Sequence, residues 1–436
     1  VNTEIDLVRP LQSRLLRLRS WRDRPFALIR ELGPGLVTGA ADDDPSGIAT
    51  YSQGGAAFGM GLLWTLVLTY PLMSAVQLVS AHIGRVTGQG LGRCMRNALW
   101  RPVVLVLVAL LFVANTINVG ADLAAMGATT QLVVGGYAHL YTLGFALLSL
   151  VLQVLVPYRR YARILKWMTL SLFAYVALLF TLHLVWRDIA LGLFVPHLSG
   201  HDAVVTVVAI FGTTISPYLF FWQSAQEVEE VTDHLDAHAL LEDESAAPKE
   251  FARMRFDTWA GMGLSNIVAI AIMIGTGATL HLAGITTIGT AADAARALQP
   301  IAGRFASLLF CFGIVGTGLL AVPVLAGSAA YAIAEAEGWE SSLGRRFSEA
   351  RGFYTVIACA TLLGVAIDWS PLDPMRALFW SAVINGVVAV PLMVALMAVA
   401  CSRRVMGVFR ATGWLATGGW AAAAMMGVAV VLMFAG

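Results

Sequence analysis

The segment Asp42-Asp43-Asp44-Pro45-Ser46-Gly47 sets three carboxylates, a proline and a glycine between two apolar stretches, residues 33–41 and 48–68. A second interruption, Ser216-Pro217-Tyr218, divides residues 204–215 from residues 219–222. Carboxylates are hard anionic donors suited to Mg²⁺, Mn²⁺ or Ca²⁺. A proline disfavours helical geometry in the residue before it and removes a backbone donor, which leaves carbonyl oxygens free to coordinate a cation. Charged groups at membrane depth face a cavity and carry function more often than not. The two breaks together imply an ion site where two unwound helices cross.

Asp44 is the leading metal ligand, because Pro45 loosens the chain beside it and Gly47 permits close backbone approach. Asp42 and Asp43 would repel it and each other unless water or a cation screens them. Either they line a wet cavity or one pairs with a buried donor such as Asn118. In the second break, the hydroxyls of Thr213, Thr214, Ser216 and Tyr218 and the carbonyls near Gly212 and Thr213 are candidate ligands, with back-bonding to its own helix the serious alternative for Thr214 and a lesser one for Ser216. Tyr218 and Gln223 could line the path beyond, with Gln223 equally able to satisfy a neighbouring helix. Asn115, Asn118 and Asp122 share one helical face, as an ion or proton route or as glue between helices. Asn385 and Ser328 are weaker candidates of the same kind. The run Glu227, Glu229, Glu230 and Asp233 reads first as a solvated charge face, with an antechamber for cations as the alternative.

These residues sit in a chain of 436 residues that is 58% apolar and only 13% charged, about half the charged share of a soluble domain, roughly 25%. A net charge of +1 carries no nucleic-acid footprint. The cysteines Cys94, Cys311, Cys359 and Cys401 form no CxxC and no zinc spacing, and no histidine lies in HExxH. An enzyme therefore has no visible site, and no cofactor is implied. The arginine-rich residues 1–32 lack the apolar core of a signal peptide and read as a cytoplasmic lead-in.

Spans of roughly 20 apolar residues occur at about 33–58, 60–83, 102–133, 137–156, 165–186, 203–225, 255–282, 302–336, 352–369, 375–401 and 413–435. The polar insert from Glu227 to Arg255 reads as a cytoplasmic loop with a short helix near residues 236–241. With the N-terminus cytoplasmic, all of the 28 basic residues except Arg187, Arg296, Arg304 and Arg376 fall on the inner side. Eleven spans and an outside C-terminus follow. Spans one to five and six to ten each begin with a broken helix, so residues 33–186 and 203–401 would be inverted repeats of five spans. Residues 402–436 would then be a cytoplasmic loop and an appended eleventh span.

Gly33-Pro34-Gly35, Asp44-Pro45-Ser46-Gly47, Gly59, Leu62-Leu63-Trp64, Val86-Thr87 with residues 88–91, Asp122-Leu123-Ala124, and Gly212 through Tyr218 with Ser224-Ala225 resemble the Nramp family of divalent metal transporters. The resemblance runs from about residue 33 to 401. It implies an all-α, LeuT-like inverted-repeat fold in a multi-pass membrane protein, with the bacterial inner membrane as the expected location and metal import toward the cytoplasm. Departures are informative. Gly47 stands where the family has asparagine, Ser216 where it has methionine, Tyr218 and Gln223 where it has histidines, and Ala125 where it has glutamate. The lost thioether removes a soft ligand that favours transition metals, and the lost histidines and glutamate weaken proton coupling. This pattern is similar to the Nramp-related magnesium-transporter branch, so Mg²⁺ or Mn²⁺ is the expected substrate. An organic-solute transporter of the same fold and a non-transporting membrane sensor are the competing readings. The oligomeric state is not legible.

Overall fold

A computed structural model describes residues 34–156, 170–233, 238–370 and 372–436. The N-terminal lead-in, the start of the fifth expected span and residues 234–237 lie outside them. Among the described residues the chain is helical without strands. Its principal helices are α1 (Pro34–Asp42), α2 (Pro45–Phe58), α3 (Leu63–Thr87), α4 (Leu91–Ala98), α5 (Arg101–Val134), α6 (Ala138–Leu155), α7 (Phe173–Leu179), α8 (Trp186–Phe194), α9 (Gly200–Thr214), α10 (Pro217–Asp233), α11 (Ala247–Thr276, followed by a π-turn, Gly277–His281), α12 (Ala306–Glu337), α13 (Arg351–Ile367), α14 (Pro374–Ala400) and α15 (Gly413–Ala435).

The helices begin where the sequence lets them. Pro45, Pro248 and Pro374 sit in the first turns of α2, α11 and α14, where the missing N–H costs nothing and the fixed φ suits a helix start. Pro217 opens α10. Asp44 caps α2 from extended backbone (φ −73°, ψ 169°), and Ile215 (φ −114°, ψ 54°) ends α9. Each of the two interrupted segments is therefore a pair of helices.

Eight described stretches are long and apolar enough to cross a membrane, with α13 a shorter apolar helix. Their burial sorts them. Of the most apolar 18 residues in each, 89% are buried in the stretch 200–232, against 22% in α6 and 28% in α15, so α9 and α10 form the axis and α6 and α15 turn apolar faces to lipid. Small residues let the axial helices close up. A Cβ on Gly212 of α9 would lie 2.0 Å from the Ala382 carbonyl of α14, and one on Gly39 of α1 would lie 2.4 Å from the backbone of Gly261 in α11.

Several expectations need correction. α10 continues to Asp233 and α11 already begins at Ala247, so the insert between them is much shorter than the polar composition of residues 227–255 implied. Within it, residues 238–241 form no helix. Instead Leu240 and Leu241 donate to the carbonyls of Arg85 and Val86, pinning the loop to the end of α3. The fifth span leaves helical structure after Leu179 rather than at 186, and α8 follows as a separate short helix.

Candidate functional site

The two breaks face each other at the centre of the bundle. Asp44 is 1% exposed. Its Oδ1 accepts from the Gly47 amide and the Ser46 hydroxyl, both at 2.7 Å, and its Oδ2 accepts from the Asn118 amide at 3.1 Å. Asn118 is held in turn by the Ser381 hydroxyl of α14, which donates to its Oδ1 at 2.6 Å. A Cβ built on Gly47 would lie 3.1 Å from Thr213 Oγ1 and 3.5 Å from Asp44 Oδ1. The absent side chain of Gly47 therefore marks the space shared by the first break and the second.

Backbone groups freed by the breaks are covered by side chains. Ser216 shares its hydroxyl proton between the carbonyls of Gly212 (3.0 Å) and Thr213 (2.7 Å). The Tyr218 hydroxyl reaches across to donate to the Ala41 carbonyl at 3.1 Å, tying the start of α10 to the end of α1. Thr214 back-bonds to Ile210, the ordinary helical role for a hydroxyl in a span. The Thr213 hydroxyl is buried and faces Gly47, with Tyr51 as its polar neighbour.

Asp42 and Asp43 are buried, and both converge on the Ser265 hydroxyl of α11, at 2.8 and 2.9 Å. The Asn118 amide serves Asp44, not this pair. One hydroxyl carries one proton, so a single donor is divided between two acids. Asp122, one turn beyond Asn118, is fully buried, and neither of its carboxylate oxygens takes a hydrogen bond among the described residues. Asn115 instead donates to Leu325 O and to Ser328 Oγ, both at 2.9 Å. It and Ser328 join α5 to α12 as helix glue.

Side-chain bonds bridge the helices at the end of the bundle holding the start of α1 and the end of α10. Gln223 accepts from Thr38 at 2.5 Å and donates to Glu227 at 3.4 Å. The Gly35 amide, at the start of α1, donates to Asp257 at 2.6 Å. Glu227 is fully buried and pairs with Arg253 at 2.6 Å. Arg253 also meets Glu250 at 3.0 Å, and Glu250 binds Arg85 at 3.1 Å. The acidic run is thus not a solvated face at Glu227, which is a network member. Glu229 is likewise engaged, by Tyr331, Ser342 and Leu343. At the opposite end a cavity of about 640 Å³ reaches inward to Ala49 and Gln53 of α2 and to Val205 and Thr206 of α9, with Arg376 on its wall.

Ser265, Ser381, Arg253 and Asp257 were not singled out from sequence. Asp257, Gly261 and Ser265 recur every four residues, and Ser381 lies four before Asn385. These spacings place each set on one helical face, which is the signal the sequence offered.

A family model described as natural resistance-associated macrophage protein-like (Nramp) matches residues 35–436. A divalent metal cation transporter, MntH, of Klebsiella pneumoniae is 28% identical over 409 residues, covering 91% of each chain. Among solved structures, the manganese transporter of Eremococcus coleocola superposes with a TM-score of 0.70 at 18% identity, over 92% of this chain and 85% of that one. Mhp1, a nucleobase-cation-symport-1 family transporter in a closed conformation, superposes with a TM-score of 0.57 at 14% identity, over 92% of each chain. The likenesses establish the LeuT-like fold, and the match across nearly the whole described bundle shows that the chain belongs to the Nramp family.

Proposed function

We propose that this protein carries divalent metal cations across a membrane, with Asp44 binding the ion directly between the two helix breaks. The observation that carries the reading is the apposition of Asp44 and Thr213 across the bare Cα of Gly47. In this reading the Thr213 and Ser216 oxygens and water complete the shell, and Gly47 leaves room for it. A hard, oxygen-only donor set favours Mg²⁺ or Mn²⁺, and Mg²⁺ keeps several of its waters. Asp42, Asp43, Asn118 and Asp122 tune the field around the ion, and Tyr218 and Gln223 line the route inward. The names borne by the relatives support divalent metal as the substrate class, and Ser216 in place of a thioether supports the harder ions.

Proton coupling in this reading is weak or absent, because Tyr218, Gln223 and Ala125 stand where the family has two histidines and a glutamate, and only Asp122 remains of that set. Eleven spans, two inverted five-span repeats, an inside N-terminus and import toward the cytoplasm complete the proposal. The excess of arginine at one side supports the topology and the matching breaks support the repeats, and the direction follows the family resemblance.

The test is uptake of Mn²⁺, Mg²⁺ and Ca²⁺ into vesicles holding the purified protein, with and without a pH gradient. Asp44→Asn is the informative variant, since asparagine still caps a helix but brings no charge. Uptake should vanish while the melting temperature stays near wild type, and the pH gradient should change the wild-type rate little. Full transport by Asp44→Asn would overturn the site.

A further inference from the structure

Away from the transport path, a cavity of about 390 Å³ opens where α3, α11 and the start of α15 meet. Two guanidinium groups, Arg255 and Arg410, line it. Both residues are exposed, and neither has an acidic partner among the described residues. The nearby acid Glu250 is already committed to Arg85 and Arg253. The N-terminus of α15 points the same way. Its cap residue Thr412 lines the cavity and makes no side-chain capping bond, so the first amides of a 23-residue helix lack that satisfaction, as an anion would exploit.

The remaining walls are largely apolar. Leu78 and Met254 form a small hydrophobic cluster separate from the main core, and Leu415 packs against it. His82 hydrogen-bonds the Phe409 carbonyl at 2.5 Å and stacks on Phe251, which ties α3 and α11 to the segment before α15. Trp414, half exposed at 49%, sits at the rim, where amphipathic rings favour the membrane interface.

We propose that this cavity binds an anionic phospholipid, its phosphate on Arg255, Arg410 and the α15 N-terminus and its acyl chains over Leu415 and the exposed face of Trp414. Positive donors beside apolar walls at the end of membrane-spanning helices match a headgroup and its tails. A zwitterionic lipid would bring its own cation against the two arginines and bind less well. The lipid would bridge α15, which is poorly buried, to the core.

Native mass spectrometry of the purified full chain, delipidated and then given phosphatidylglycerol, phosphatidylcholine or inorganic phosphate, tests this. The wild type should retain phosphatidylglycerol in preference to phosphatidylcholine and gain thermal stability from it, and phosphate alone should give little. The variant Arg255→Gln/Arg410→Gln should lose affinity for phosphatidylglycerol by about 30-fold, from the contribution of two interfacial arginines. Its melting temperature in phosphatidylcholine should match wild type, which separates lost binding from lost folding. Equal retention of the two lipids, unchanged retention by the double variant, or stabilisation by phosphate equal to that by lipid would each overturn the assignment.

Discussion

Gly47→Ala probes the site most directly, because the structure says what the added methyl would meet. Gly47 lies in the first turn of α2, in ordinary helical backbone, since its φ is not among the positive ones. Alanine is intrinsically favoured there, by up to about 1 kcal/mol in a helix interior and less near an end. Against that, the new Cβ would lie 3.1 Å from Thr213 Oγ1 and 3.3 Å from Tyr51 Cε2. Both are side-chain atoms that can give by a few tenths of an ångström, at a cost on the order of 1 kcal/mol. The two terms nearly cancel, so stability should hold within about 1 kcal/mol. The site fares differently. A cation ligated by Asp44 and Thr213 at roughly 2.0–2.6 Å would need the space the methyl fills. We expect the KM for Mn²⁺ uptake to rise at least about tenfold, equivalent to about 1.4 kcal/mol, with the melting temperature almost unmoved. Vesicle uptake and titration calorimetry on the same preparation check both halves. A well-folded Gly47→Ala protein with wild-type KM and affinity would show that the ion does not pass between the two breaks.

Other perturbations follow from the same geometry. Arg253→Gln strands the buried Glu227 carboxylate; it should destabilise the protein by about 3–5 kcal/mol, and Glu227→Gln/Arg253→Gln should recover part of that in chemical-denaturation curves. Gly39→Val pushes a branched side chain into the Gly261 backbone, so α1 must lift from α11, and a clear fall in melting temperature with loss of uptake is expected. Ser265→Ala removes the one hydroxyl shared by Asp42 and Asp43; uptake should fall while Ser265→Thr, which keeps the hydroxyl, retains more of it. Burial pushes the Cys94 thiol up to about 11, so its thiolate is scarce at neutral pH. Maleimide labelling of the folded protein at Cys94 should be slow and should rise about tenfold per pH unit until the pH nears that value.

Much of the architecture was legible in residues alone. Prolines 45 and 217 announced both breaks, because a missing N–H is a local property that no packing can restore. Apolar runs of the right length announced most spans, although the ends slipped where polar residues are helical, as from Ala247 to Arg255. Composition could not tell that Glu227 lies inside, since a carboxylate looks solvated until a partner such as Arg253 is found 26 residues away.

The partners of the acids were beyond the sequence for the same reason. Asp42, Asp43 and Asp44 are neighbours in the chain, yet Ser265 serves the first two and Asn118 the third. Which side chain meets which depends on how α1 and α2 are rotated against α5 and α11, and that rotation follows from close contacts such as Gly39 on Gly261. The chain by itself determined that it would be helical, membrane-embedded and interrupted twice, because helix breaking and hydrophobic length act over a few residues at a time. Only the tertiary structure decided that the interruptions meet at Gly47 and Thr213, because the distance between two helices is set by the summed packing of side chains scattered over the whole sequence.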